Sequence, residues 1–123
     1  MSFDTSLLRA LIQPNQNGLK AGRSAGLLVI QTRPEYRADN TDYQKFKRAR
    51  NRYHGVVAGA NGASLERGSP GLGIIQELKR TPGEPIVDKR ANGAFQGTKL
   101  SGLLMARGIR HLAFCSNTIY DCV

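Results

Sequence analysis

Side chains that usually carry chemistry are scarce in this chain: it has no tryptophan, two cysteines, two histidines and nine acidic residues in 123 positions. Two cysteines cannot build the disulfide framework of a small secreted scaffold. A metal centre draws on several His, Cys or carboxylate donors at close spacing, and neither His54 nor His111 has such a neighbour, so no metal and no cofactor is expected. Each histidine reads as a surface or half-buried polar residue. No apolar run approaches the roughly 18 residues needed to cross a bilayer, and the N-terminus lacks the basic-then-apolar order of a signal peptide. A cytoplasmic location with no membrane partner is the expectation. The length suits one domain with a modest two-layer core, and neither internal repeats nor low-complexity tracts interrupt it.

The shortage of acids leaves a net charge of +9, from eighteen Lys and Arg against nine Asp and Glu. Much of the excess lies in Lys45-Phe46-Lys47-Arg48-Ala49-Arg50-Asn51-Arg52. On a helix such a run could meet phosphates, with an affinity that falls steeply with salt. A basic run alone carries no recognition motif, so a solvated helix face with Phe46 and Tyr53 turned to the core is the expected role, and nucleic acid is not an expected partner.

Apolar spacing divides the chain into alternating elements. Leu7, Leu8, Leu11 and Ile12 form one face of a leading helix that should end before Pro14 and the Asn17-Gly18 turn. Gly26-Leu27-Leu28-Val29-Ile30 reads as the first buried strand. Asn40 or Thr41 can cap a basic helix, Gly55–Gly59 offers a short second strand, and Ser69-Pro70 opens a helix with Leu72, Ile75 and Leu78 inward. Pro85-Ile86-Val87-Asp88-Lys89 is β-rich. Thr98 can cap a helix carrying Leu100, Leu103 and Leu104, Arg107 suits its negative end, and Gly108 suits a left-handed terminator. Ile109–Phe114 is a further apolar strand. Strand, helix and strand in this order are most simply a right-handed crossover in a parallel sheet.

From Gly68 to Leu112 the residues resemble a known family. Gly68-Ser69-Pro70-Gly71, Leu78 leading to Asp88-Lys89, Ala94-Phe95-x-Gly97-Thr98-x-Leu100, Arg107-Gly108-Ile109-x-x-Leu112 and the terminal Cys122-Val123 look like the isochorismatase-like cysteine hydrolases. The resemblance implies a doubly wound, Rossmann-like α/β domain with a mostly parallel sheet of about four strands and flanking helices. Residues 1–25 would supply a leading helix and loop and residues 26–123 the core of a single incomplete domain lacking the family's last strands. It also implies a triad of Asp, Lys and Cys acting on small amides or related carbonyls. Lys89 matches the lysine, Cys122 matches the nucleophile, and Gln31 falls where the aspartate would end the first strand.

These matches set the chemical expectation. A thiolate at Cys122 would attack a carbonyl to give an acyl-enzyme, with the backbone N–H groups of Thr118 and Cys122 as oxyanion hole. An amide at Gln31 cannot act as a general base. A free cysteine titrates near pH ~8.5, and a chain ending at Val123 offers Cys122 no helix N-terminus to lower that value. The expected function is an amidohydrolase impaired or inactive through truncation and loss of the aspartate, with a small-molecule substrate if active. The alternative is a non-catalytic binding or assembly module using the open sheet edge, as in a homo-oligomer, or the basic helix 45–52. Cys115 is expected to be a buried small apolar residue, unlinked to Cys122.

Overall fold

A computed structural model of the chain describes residues 6–37 and 73–115. The described elements are helix α1 (Ser6–Ala10), helix α2 (Ile12–Ser24), strand β1 (Gln31–Pro34), a 3-10 turn (Gln76–Leu78), strand β2 (Ile86–Lys89) and helix α3 (Leu100–Ala106). The basic run 45–52, the strand expected at 55–59 and the cap at Ser69-Pro70 lie outside the described residues. The fold is α/β, and the described part of its sheet is a parallel pair, β1 beside β2, with Gln31 opposite Ile86 and Pro34 opposite Lys89.

Two local expectations give way. Helix α2 runs through Pro14 and through Asn17-Gly18 rather than ending before them. Pro14 is the third residue of α2, where a backbone N–H would have no partner inside the helix, so the missing donor costs little. Gly18 is tolerated in the interior, and a Cβ there would lie 3.8 Å from the Cys115 sulfur, an ordinary contact. The first strand begins at Gln31, after the run Gly26–Ile30 instead of within it. Gly26 takes a left-handed φ of 70°, the Leu27 amide bonds back to the Gly22 carbonyl at 2.9 Å, and Leu27 is 62% exposed. The chain is still leaving the helix over these residues, so pairing starts later.

The C-terminal elements follow the sequence closely. Val87, Ala94, Leu100 and Leu104 form the buried core, with Ile30, Leu103 and Ile109 packed against it. The Thr98 hydroxyl accepts the Leu100 amide at 3.1 Å and donates to the Ala94 carbonyl at 2.5 Å. At the other end Gly108 adopts φ 64° and Ile109 N–H reaches the Leu104 carbonyl at 3.0 Å, closing α3 in the left-handed manner glycine permits. Residues 109–115 continue without strand geometry, so the strand expected at Ile109–Phe114 is not formed among the described residues. Of the helix expected to bury Ile75 and Leu78, the described residues 73–78 form only the 3-10 turn, and Ile75 is exposed.

Side chains from the first 31 residues fix the 76–84 segment. Gln16 Nε2 donates to the Glu77 carbonyl at 3.0 Å, Gln31 Nε2 to that of Leu78 at 2.8 Å, and Arg23 Nη2 to that of Lys79 at 3.2 Å. Arg23 also grips Glu84 with two bonds, Nε to Oε1 at 2.7 Å and Nη2 to Oε2 at 2.9 Å. Pro82-Gly83, with φ 92° at Gly83, makes the turn that brings Thr81 N–H to the same carboxylate at 2.9 Å. No helix among the described residues is long and apolar enough to cross a membrane.

The Arg23 guanidinium holds the Glu84 carboxyl at about 2, against an ordinary 4.5, with the Thr81 amide adding to the effect and partial burial opposing it. A carboxyl with a depressed folded-state value stabilises the fold fully above its ordinary value, and the contribution disappears as pH falls from about 4.5 toward about 2. Glu84→Gln is expected to lower Tm by about 5 °C at neutral pH. The gap between variant and parent should narrow as a thermal-melt series descends through that acid window.

Candidate functional site

Strand β2 sorts its side chains by parity. Val87 and Lys89 are buried, at 1% and 3% exposure, whereas Asp88 between them is exposed. Period-2 alternation therefore points the Lys89 side chain to the same face as the Val87 core. An ammonium there must be hydrogen-bonded, and Nζ donates to the Asn92 carbonyl at 2.5 Å, in the turn immediately after the strand. The lysine assigned from sequence thus stands at the C-terminal end of a parallel strand, buried and tethered.

Gln31 is elsewhere. It opposes Ile86 at the start of the strand pair, three register steps from Lys89, which is about 10 Å along the strand at ~3.3 Å per residue. Its Nε2 is engaged by Leu78, and its buried Oε1 has no partner among the described residues. Gln31 opens β1 instead of ending the first strand. Gln31 braces the 3-10 turn.

Among the described residues the acids at the Lys89 end are Glu35 and Asp88. Glu35 follows β1 directly, its N–H donates to the Lys89 carbonyl at 3.0 Å, and it is 6% exposed. Asp88 accepts Arg33 Nε at 2.6 Å, and Arg33 Nη2 lies 3.9 Å from Glu35 Oε1. The Asp88 contact pushes the Arg33 guanidinium up from its ordinary value. Sequence reasoning passed over Glu35. Its visible signal was an acid directly after Pro34, but only the register puts that acid beside Lys89.

Cys122 and Thr118, the expected nucleophile and oxyanion donor, lie outside the described residues, as does His54. Cys115 is exposed and free, not buried as expected, because residues 110–115 run along the surface instead of entering the sheet. His111 is exposed, in line with a surface role.

Comparison with known proteins places this arrangement. An isochorismatase domain model matches residues 4–115. A cysteine hydrolase from Pseudomonas syringae pv. phaseolicola 1448A shares 31% identity with a TM-score of 0.68, covering 85% of this chain and 45% of its own. An isochorismatase family protein from Desulfovibrio vulgaris subsp. vulgaris str. Hildenborough shares 28% identity with a TM-score of 0.67, covering 80% and 48%. The N-carbamoylsarcosine amidase from Thermoplasma acidophilum, at 23% identity and a TM-score of 0.58 over 80% and 47%, supports the fold alone. The chain spans about half the length of these structures. With nearly all of its residues inside the family match and the parallel pair ending in a buried lysine, the chain belongs to the isochorismatase-like cysteine hydrolase family.

Proposed function

We propose that the chain carries the machinery of a cysteine hydrolase for a small amide or related carbonyl compound, with little or no turnover by the 123-residue chain itself. The observation that carries this reading is Lys89: a buried ammonium at the C-terminal end of a parallel strand, held by the turn that follows. In the reaction, the Cys122 thiolate adds to the substrate carbonyl, the tetrahedral oxyanion collapses, and the C–N bond breaks as the nitrogen gains a proton and leaves. Water then cleaves the thioester to give the acid and regenerate the thiol. Lys89 would hold the thiolate and the substrate, and the Thr118 and Cys122 amides would receive the oxyanion.

Low turnover is supported by the base. Gln31 cannot titrate and sits at the opposite end of the strand pair from Lys89. Among the described residues the acids at the Lys89 end, Asp88 and Glu35, both face Arg33. An activated ester is expected to leave one acyl group on Cys122, seen by mass spectrometry and absent from Cys122→Ala, while ammonia release from nicotinamide and ureido compounds stays at background. Equal acylation of the exposed Cys115 would sink the assignment of the nucleophile. Ammonia release abolished by Cys122→Ala would sink the claim of low turnover.

Position 31 offers a second check. Gln31→Asp would set a carboxylate against the Leu78 carbonyl, so it is expected to cost about 2 kcal/mol of stability in urea unfolding. No amide hydrolysis should appear. A gain of activity would show that position 31 reaches the reacting atoms after all.

One observation favours assembly alongside chemistry. Leu27, Leu28, Leu112 and Phe114 are exposed on segments of strand-like composition that lie outside the sheet. Exposed apolar side chains of this kind would supply contacts for a second copy of the chain. Gel filtration at physiological salt is expected to show a dimer that Phe114→Lys weakens, and a monomer across the concentration range would remove this reading.

A further inference from the structure

Asparagine is followed by glycine three times in the chain, at Asn17-Gly18, Asn61-Gly62 and Asn92-Gly93. We propose that Asn92-Gly93 is a self-modification site, at which the chain converts Asn92 to isoaspartate with help from the Lys89 ammonium.

The backbone supplies the nucleophile. An asparagine before glycine can cyclise because the glycine nitrogen, with no side chain beside it, reaches the asparagine Cγ. Helix α2 holds Asn17-Gly18 in its interior, where the Gly18 nitrogen is a helix donor and Asn17 Oδ1 accepts Gln13 Nε2 at 3.1 Å. Residues 90–95 instead follow β2 as bends without helix or strand, and Asn92 and Gly93 are half-buried. Among the described residues neither the Gly93 N–H nor the Asn92 side chain is hydrogen-bonded. Nothing in the local backbone has to open before the nitrogen turns on its neighbour.

Lys89 acts on the same peptide group. Its Nζ donates to the Asn92 backbone carbonyl at 2.5 Å, and that carbonyl is conjugated with the Gly93 nitrogen. When the nitrogen loses its proton to solvent, negative charge spreads onto this oxygen, where a buried ammonium stabilises it with little screening. The nitrogen then bonds to Asn92 Cγ, the Cγ–Nδ2 bond breaks, and the leaving nitrogen takes a proton and departs as ammonia. Water opens the resulting succinimide. Attack at the backbone carbonyl, which Lys89 polarises, breaks its bond to the Gly93 nitrogen and leaves isoaspartate. One water is consumed and one ammonia released for each chain.

The product changes what Lys89 meets. In isoaspartate the chain runs through Cβ and Cγ, and the carbonyl that Lys89 bonds becomes a free carboxylate. A neutral acceptor is replaced by an ion-pair partner, so the ammonium is held more tightly after the step than before. Under the hydrolase reading, on which this consequence rests, the step draws the cation away from the thiolate; the modification itself does not depend on that reading.

Incubation of the whole chain at neutral pH, followed by peptide mapping with mass spectrometry and enzymatic methylation of isoaspartate, tests the site. Asn92 is expected to convert about tenfold faster than Asn17 or more, because the helix must open before Asn17 can react. It should convert at least as fast in buffer as in urea, where Lys89 no longer meets the Asn92 carbonyl. Lys89→Met should slow it about tenfold, the worth of one charge-assisted hydrogen bond. Gly93→Ala should slow it several-fold, and its Cβ would meet only the flexible Gln96 side chain, at 3.2 Å. Cys122→Ala should convert as the parent does, so failure of the hydrolase reading and failure of this one are told apart. An intact Asn92, an Asn92 rate no greater than that of Asn17, an unchanged rate in Lys89→Met or Gly93→Ala, or a parent rate that rises in urea would overturn the proposal. The urea comparison uses the parent sequence, so it decides the matter even where Lys89→Met disturbs folding.

Discussion

The placement of β2 depends on how helix α2 and the first residue of β1 hold the turn before it. Arg23 grips Glu84 with both ends of its guanidinium and reaches the Lys79 carbonyl, while Gln16 and Gln31 take the two carbonyls just before it. Three consecutive carbonyls that no regular helix or sheet satisfies are thereby paired with side chains. Glu84 is the pivot because it sits one residue before Pro85, whose carbonyl accepts the first ladder bond, from Gln31 N–H at 3.0 Å. Moving this turn by one residue would move β2 against β1 by the same amount.

That register matters because strand periodicity is strict. A slip of one residue would carry Lys89 to the outer face and Asp88 into the core, where Val87, Leu100 and Leu104 offer a carboxylate nothing. The same alternation yields two chemically different faces from four residues of sequence. One presents a tethered ammonium against an apolar core, and the other presents Asp88 in an ion pair with Arg33.

What could be read from the sequence followed the range of the interactions that decide it. The β2 strand, helix α3, the Thr98 hydroxyl at its start and Gly108 at its end were all legible, because each is set by residues within a few positions of one another. Pro14 was misread as a stop because its harm depends on where the helix begins, and α2 begins two residues earlier. The first strand was placed too early because Gly26–Ile30 has strand composition, yet pairing needs a partner. The partner's position is fixed by the Arg23–Glu84 link across 61 residues. The spacing of Gln31 and Lys89 was hidden for the same reason, because only the ladder says that they occupy opposite ends of the pair. Glu35 became visible by the same route, as the acid that the register delivers to Lys89.

Lys89 is the residue on which the proposed chemistry turns. Taking an ammonium out of water costs several kcal/mol, so a buried lysine must be hydrogen-bonded, and Nζ meets the Asn92 carbonyl in the turn after β2. Under the proposed hydrolase reading, a cation fixed in a partly dry environment would act on a neighbouring thiolate or developing negative charge with little screening. Its inward position follows from the strand register, and that register rests on one arginine and one glutamate far from it.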